Sequence, residues 1–188
     1  MTREGRFDTS DLDGGAPLAW VVSSEPMRAL PLEIFMRDYY TPRLLTRIVS
    51  VEKLPEVRPI AEITNRVQPE VKIVSVKASK THAARADAVV HAASVTNEKG
   101  QRSGLQDLRL FRNGQLVANT PLDKPLKNGD FTFKGIQLPT SAKSVTFTAY
   151  GFNSERIKSP TMQMNYAYEP GAAKEPRAWL LQVGFVGA

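Results

Sequence analysis

The chain has 188 residues, 25 Lys+Arg against 19 Asp+Glu for a formal charge of +6, and no Cys. Disulfides, thiolate metal sites and cysteine nucleophiles are therefore excluded, and the length suits one main core with an appendage. With 41% hydrophobic and 23% charged residues, 13 Pro and 12 Gly, the composition is that of a soluble, turn-rich, mainly β protein.

The opening MTREGRFDTSDLDGG has no apolar run of signal-peptide length, and no segment approaches the ~20 apolar residues of a membrane span. A cytoplasmic protein without a membrane partner is expected. Asp11, Asp13 and Gly14-Gly15 lack the later Glu of a calcium loop and read as a solvated turn. Leu18 to Val22 is apolar enough for one strand, with no partner strand evident nearby.

In PLEIFMRDYYTPRLLTRIVSVEKL, Leu32, Phe35, Met36, Tyr39 and Tyr40 recur at helical spacing and form one apolar stripe. Thr41-Pro42 has the chemistry of an N-cap followed by a first helical residue, and predicts a second helix carrying Leu44, Leu45, Ile48 and Val49. The stripe has two readings, core packing against Trp20 or the sandwich, and an apolar face that docks a neighbouring domain. Glu33 and Asp38 fall on different helical faces, which argues against a paired acid and base. Pro55, Pro59 and Pro69 make Val51 to Pro69 an extended connector and the expected domain boundary.

From Glu70 the period changes to two. EVKIVSVKA places Val71 and Ile73 on one face and Val74 and Val76 on the other, and ADAVVHAASVTN supplies a second strand. Asn113-Gly114 between LRLF and QLV predicts a tight type I′ hairpin, because both central residues of that turn need positive φ. Three more strands follow: DFTFKGIQLP with Phe131 and Phe133 on one face, SVTFTAYGFN with Val145, Phe147 and Ala149 opposed to Tyr150 and Phe152, and PTMQMNYAYEP with Met162, Met164, Tyr166 and Tyr168 alternating. Seven short strands spaced by turns predict a mainly β fold, an Ig-like antiparallel β-sandwich behind a short helical N-terminal segment.

The expected divisions are 1–66 (a lead with one strand, two short helices and the Pro-rich joint), 67–170 (the sandwich) and 171–188 (a linker and the apolar run Trp179 to Gly184). The two histidines, His82 and His91, have no ligand spacing and no triad partner, and no phosphate-binding loop is present. No metal, no cofactor and no catalytic residue are expected. The densest basic stretch, Lys72, Lys77, Lys80 and Arg85, lacks interleaved aromatics and reads as a solvated face, which disfavours nucleic acid as a partner.

The succession GRFDTSDL, WVVSSEPMRALPLEIFMRDYYTPRLL, NRVQPEVKIVSV, DLRLFRNGQLV, FTAYGFNSERIKS and PRAWLLQVG resembles the region joining a WD-repeat propeller to a caspase-like peptidase domain in large bacterial proteins. The resemblance implies a connector that does no chemistry. It also implies that Trp179 to Gly184 is the truncated first strand of a caspase-like domain, followed here by Phe-Val-Gly-Ala instead of that family's Val-Asn-x-Tyr. The catalytic His and Cys of that family have no counterpart in this sequence. A structural spacer or docking segment, present without its catalytic domain, is thus expected. Its partner would be a neighbouring propeller, a caspase-like domain or a second copy, with Leu32, Phe35, Met36, Tyr39 and Tyr40 as the interface. The alternative is an independent Ig-like protein-binding module using the sandwich edges or the end loops at Asn113-Gly114, Lys127 to Gly129 and Asn153 to Lys158.

Overall fold

The computed structural model describes residues 1–10, 12, 18–22, 25–80, 84–122 and 124–169. The apolar run expected as a strand at Trp179 to Gly184, its linker, His82, and Asp11, Asp13 and Gly14-Gly15 lie outside the described residues.

The N-terminal lobe begins with an antiparallel hairpin of β1 (Ala19–Val22) and β2 (Glu25–Pro31). The Trp20 strand therefore has a partner, contrary to the sequence reading. EPMRALP hides its strand character, since its two prolines and the 97%-exposed Met27 break any alternation. A 3-10 turn, Leu32–Phe35, runs directly into the single-turn helix α1 (Met36–Tyr39), and α2 (Leu44–Val49) follows. Thr41 does not cap α2. Its hydroxyl accepts from Arg6 Nη1 at 3.1 Å, and the helix starts after Arg43, which sits at φ 56°. The Leu44 N–H instead donates to Asp8 Oδ2 at 3.2 Å, so the cap comes from a distant stretch of chain. The connector is mostly extended, with one 3-10 turn at Ile60–Glu62.

The lobe closes around an aromatic cluster. Trp20 meets Phe7, Phe35 and Tyr39 edge-on at centroid distances of 6.0, 5.3 and 6.2 Å, and its indole N–H donates to Leu32 O at 3.1 Å. Leu30, Leu32, Ile34, Ile63 and Ile157 complete this core. Ile157 is the exception in sequence position, since it arrives from the far end of the sandwich.

The sandwich comprises β3 (Glu70–Ala78), β4 (Arg85–Ala93), β5 (Gln106–Arg112), β6 (Gln115–Asn119), β7 (Gly129–Gln137), β8 (Ser144–Phe152) and β9 (Met162–Ala167). One sheet has the order β3-β4-β7 and the other β6-β5-β8-β9, all pairs antiparallel. The chain changes sheet between β4 and β5, β6 and β7, and β7 and β8, which is the Ig-like arrangement of two facing layers. Ala86, Ala88, Val90 and Ala92 line one inner face and Leu108, Leu110, Val145, Phe147 and Ala149 the other. Small residues on β4 let the layers approach where β8 supplies the bulk.

Two bulges correct the simple alternation. In β3 the ladder runs Ile73↔Val90 and then Ser75↔Val89, so the extra residue, Val74, faces out and Val76 returns to the core opposite Ala88. In β7, Phe133 pairs with Ala88 and Ile136 with Ala86, leaving Lys134-Gly135 against Asp87. Gly135 takes φ 70°, and its N–H donates to Asp87 Oδ1 at 2.8 Å, so the displaced donor is satisfied. Of the alternating residues on the edge strand β9, Met162 is exposed at its start, while Tyr166 and, just beyond the strand, Tyr168 are half-buried against the core.

Candidate interaction site

The stripe Leu32, Phe35, Met36, Tyr39 and Tyr40 is the inner wall of the lobe. Leu32, Phe35 and Tyr39 are buried among Phe7, Trp20, Ile63 and Ile157, and Met36 and Tyr40 are partly buried against the same cluster. The docking face expected on these five residues is therefore already covered by the protein's own chain. Helical spacing marks an apolar face but not what covers it, and the covering residues come from remote positions.

The other side of the same segment builds a polar seam against the sandwich. Lys158 Nζ lies 2.9 Å from Glu33 Oε2 and 2.6 Å from Thr161 Oγ1, stands 4.6 Å from the Tyr150 ring centroid, and is only 1% exposed. The Lys158 N–H donates to Ile34 O at 3.0 Å, so backbone and side chain both tie the β8–β9 connection to the lobe. Arg37 Nη1 lies 2.9 Å from Asp107 Oδ2, and Arg109 Nη2 lies 2.7 Å from the same fully buried oxygen. Both guanidinium groups also stand over the Phe152 ring, at 5.0 and 5.1 Å. Burial alone would lower the Arg109 pKa, but its bonds to Asp107 reverse the sign and hold it above the ordinary value. Arg156 pairs with Asp38 at 3.1 Å and Arg58 with Glu155.

Asn153 closes the joint. Fully buried at the end of β8, it donates from Nδ2 to Asn65 O at 2.8 Å and Val67 O at 3.0 Å, and its Oδ1 accepts from the Glu155 and Ile157 N–H groups. The Pro-rich connector is thereby riveted to the sandwich at Asn65 to Val67. The Asn153 to Lys158 loop, expected to display a ligand surface, has its key side chains turned into this seam, because the lobe supplies their partners. The other two end loops stay at the surface: Asn113 and Gly114 take φ 48° and 78°, Asn113 Oδ1 accepts from the Thr146 N–H at 2.8 Å, and Asn128 Oδ1 accepts from the Ser94 N–H at 2.8 Å.

His91 sits on the outer face of the β3-β4-β7 sheet, 2.7 Å from Asp130 Oδ1, with both side chains exposed. Among the described residues no three His, Asp or Glu converge as a metal site. The grooves carry little chemistry. One of about 560 Å3 beside Trp20 is lined by Val22, Ile60 and Ile63, with Thr64 and Arg66 as polar neighbours. Another of about 470 Å3 is edged by Lys77, Lys80, Arg85 and Lys134 around Asp87, without an aromatic in its lining. No helix of the described chain is long and apolar enough to cross a membrane.

The exposed apolar side chains concentrate elsewhere. Leu45, Ile48 and Val49 on α2, and Val51 just beyond it, stand 75%, 47%, 74% and 90% exposed, while only Leu44 of that helix is buried. The sequence reading placed Leu45, Ile48 and Val49 on a helix without foreseeing that they stay bare. The signal was there in part, since Leu44-Leu45 and Ile48-Val49 give a six-residue helix more apolar surface than one face can bury.

Strand order and packing define an Ig-like sandwich module bearing a clamped helical lobe. No protein-family model and no curated protein sequence matches the chain. Among solved structures it is similar to the fibronectin(III)-like modules of Clostridium thermocellum CbhA, with a TM-score of 0.33 and 9% identity over 53% of this chain and 96% of that one. It is also similar to the Clostridium perfringens spore cortex lytic enzyme SleM, with a TM-score of 0.31 and 13% identity over 54% of this chain and 28% of that one.

Proposed function

We propose that the chain is a non-catalytic, Ig-like protein-binding module in which the helical lobe is held on the sandwich in one fixed orientation. The observation that carries this reading is the seam, where buried Lys158 and Asp107 meet Glu33 and Arg37 across the two parts. Buried charges of this kind add little net stability but penalise every arrangement that leaves one of them unpaired, so they select a single geometry. Fixed geometry is what a module needs when it presents one surface to a partner.

A second reading is favoured by the ordered sequence strings: a rigid spacer from the bacterial class that joins WD-repeat propellers to caspase-like domains. The same seam supports it, since a spacer sets distance and angle only if it does not bend. In either case the mechanism is positional.

Backbone amide relaxation on the full chain tests the common claim. One rotational correlation time for lobe and sandwich is expected, and two separate times would overturn it. Turnover of a peptide, ester or phosphoester substrate that is lost in His91→Ala would overturn the non-catalytic part.

A further inference from the structure

We infer that α2 and the turn after it form a docking face for an apolar protein segment flanked by carboxylates, a deepening that rests on the binding-module reading. The helix ends in a Schellman motif: the Glu52 N–H donates to Arg47 O and the Val51 N–H to Ile48 O, both at 3.0 Å. The residue after the cap in that motif takes a left-handed conformation and is ordinarily Gly. Here it is Val51, at φ 53° and 90% exposed. A β-branched side chain at positive φ is strained, and among the described residues no neighbour covers Val51 to offset that strain. Both the strain and the exposure find a reason if the isopropyl group is a contact for something outside this chain.

Leu45, Ile48, Val49 and Val51 together expose roughly the few hundred Å2 at which an apolar patch on a soluble domain marks an interaction site. Their rim decides the kind of partner. Arg47 is matched by Glu52 at 2.5 Å, whereas Arg43 and Lys53 carry no ion pair among the described residues. Against Arg43, Arg47 and Lys53 stand two carboxylates, Glu52 and the Asp8 that accepts from the Leu44 N–H, so the rim keeps a net positive charge, and Arg43 is close enough to help lower the Glu52 pKa after the Arg47 hydrogen bond. Two copies meeting face to face would oppose the same surplus cations, which disfavours self-pairing. A segment with apolar anchors at helical spacing and Asp or Glu at its edges satisfies both features.

The test uses the full chain and two synthetic amphipathic helical peptides with the same Leu face, one rimmed by Glu and the other by Lys. The Glu-rimmed peptide is expected to bind about tenfold more tightly, with the preference fading in high salt. Leu45→Ser with Val49→Ser should abolish binding at an unchanged melting temperature, since both residues are exposed. Val51→Gly should weaken binding while raising the melting temperature. The inference is overturned if the peptides bind equally, if neither binds, or if binding survives the double variant. It is likewise overturned if those variants instead abolish a concentration-dependent dimer or binding to phosphatidylserine vesicles. Amide relaxation on the same samples separates the two readings: a chain that tumbles as one body yet ignores both peptides sinks this face alone.

Discussion

Glu33 Oε2 and Lys158 Nζ, 125 positions apart in sequence, lie 2.9 Å from each other in the seam between lobe and sandwich. The lysine is shielded from solvent on every side, and the contact is surrounded by Tyr150, Thr161 and the backbone of Ile34. Its value is conditional, because Lys158 left alone would be a charge without water or counter-charge, whereas Glu33 keeps part of its side chain at the surface.

Lys158→Met is expected to destabilise the chain by about 3 kcal/mol, the low end of the cost of breaking a buried pair from one side. Glu33→Leu added to it should recover most of that loss, since both charges are then gone. Urea denaturation of the wild type and the two variants measures this.

Asn153→Ala removes four hydrogen bonds at once and leaves the Asn65 and Val67 carbonyls without their donor. A loss of about 3 kcal/mol is expected, at roughly 1 kcal/mol net per bond with some relaxation. Amide exchange should rise first at residues 65–68 and 155–157, before the β4 and β8 cores open.

Alkaline pH should weaken the fold through Tyr39. Burial, and then the Asp38 carboxylate, hold its phenol above the ordinary 10.0, while the hydroxyl donates to Arg58 O. The unfolded chain releases this proton first, so the stabilisation is complete below pH 10.0 and is lost as pH rises through the folded value. Denaturation midpoints followed across that range should fall. Tyr39→Phe should flatten the decline to the part contributed by Tyr168, which burial also raises.

Gly114→Ala should cost about 1 kcal/mol, because the turn holds this residue at φ 78° and an L side chain is disfavoured there. Asn113→Ala should cost more. It forfeits the side-chain bond to the Thr146 N–H as well as the tolerance of Asn for φ 48°. Thermal melts of the two variants give the ranking.

The sandwich was largely legible because its signals are local. Asn113-Gly114 announces a turn whatever surrounds it, and Ala86, Ala88, Val90 and Ala92 show their common face by spacing alone. The bulges at Val74 and Gly135 were not legible. Each inserts one residue into a ladder and so reverses the phase that alternation predicts, a choice made by the partner strand. β2 escaped notice for a related reason: Glu25 to Pro31 has no face of its own and becomes a strand by pairing with Trp20 and its neighbours.

The candidate site shows the same division more sharply. The residue order alone marked apolar positions at helical spacing, Leu32, Phe35, Met36, Tyr39 and Tyr40, and a second apolar run through Leu44 and Val49. The second lies on α2, whereas the first is split between a 3-10 turn, the single turn of α1 and the extended Tyr40 that bridges to Phe7. Which of the two would be covered depended on Phe7, Trp20, Ile63 and Ile157 arriving from elsewhere in the chain. Burial is a property of the whole packed molecule, so the tertiary structure alone decided that the first run closes the lobe and the second stays at the surface.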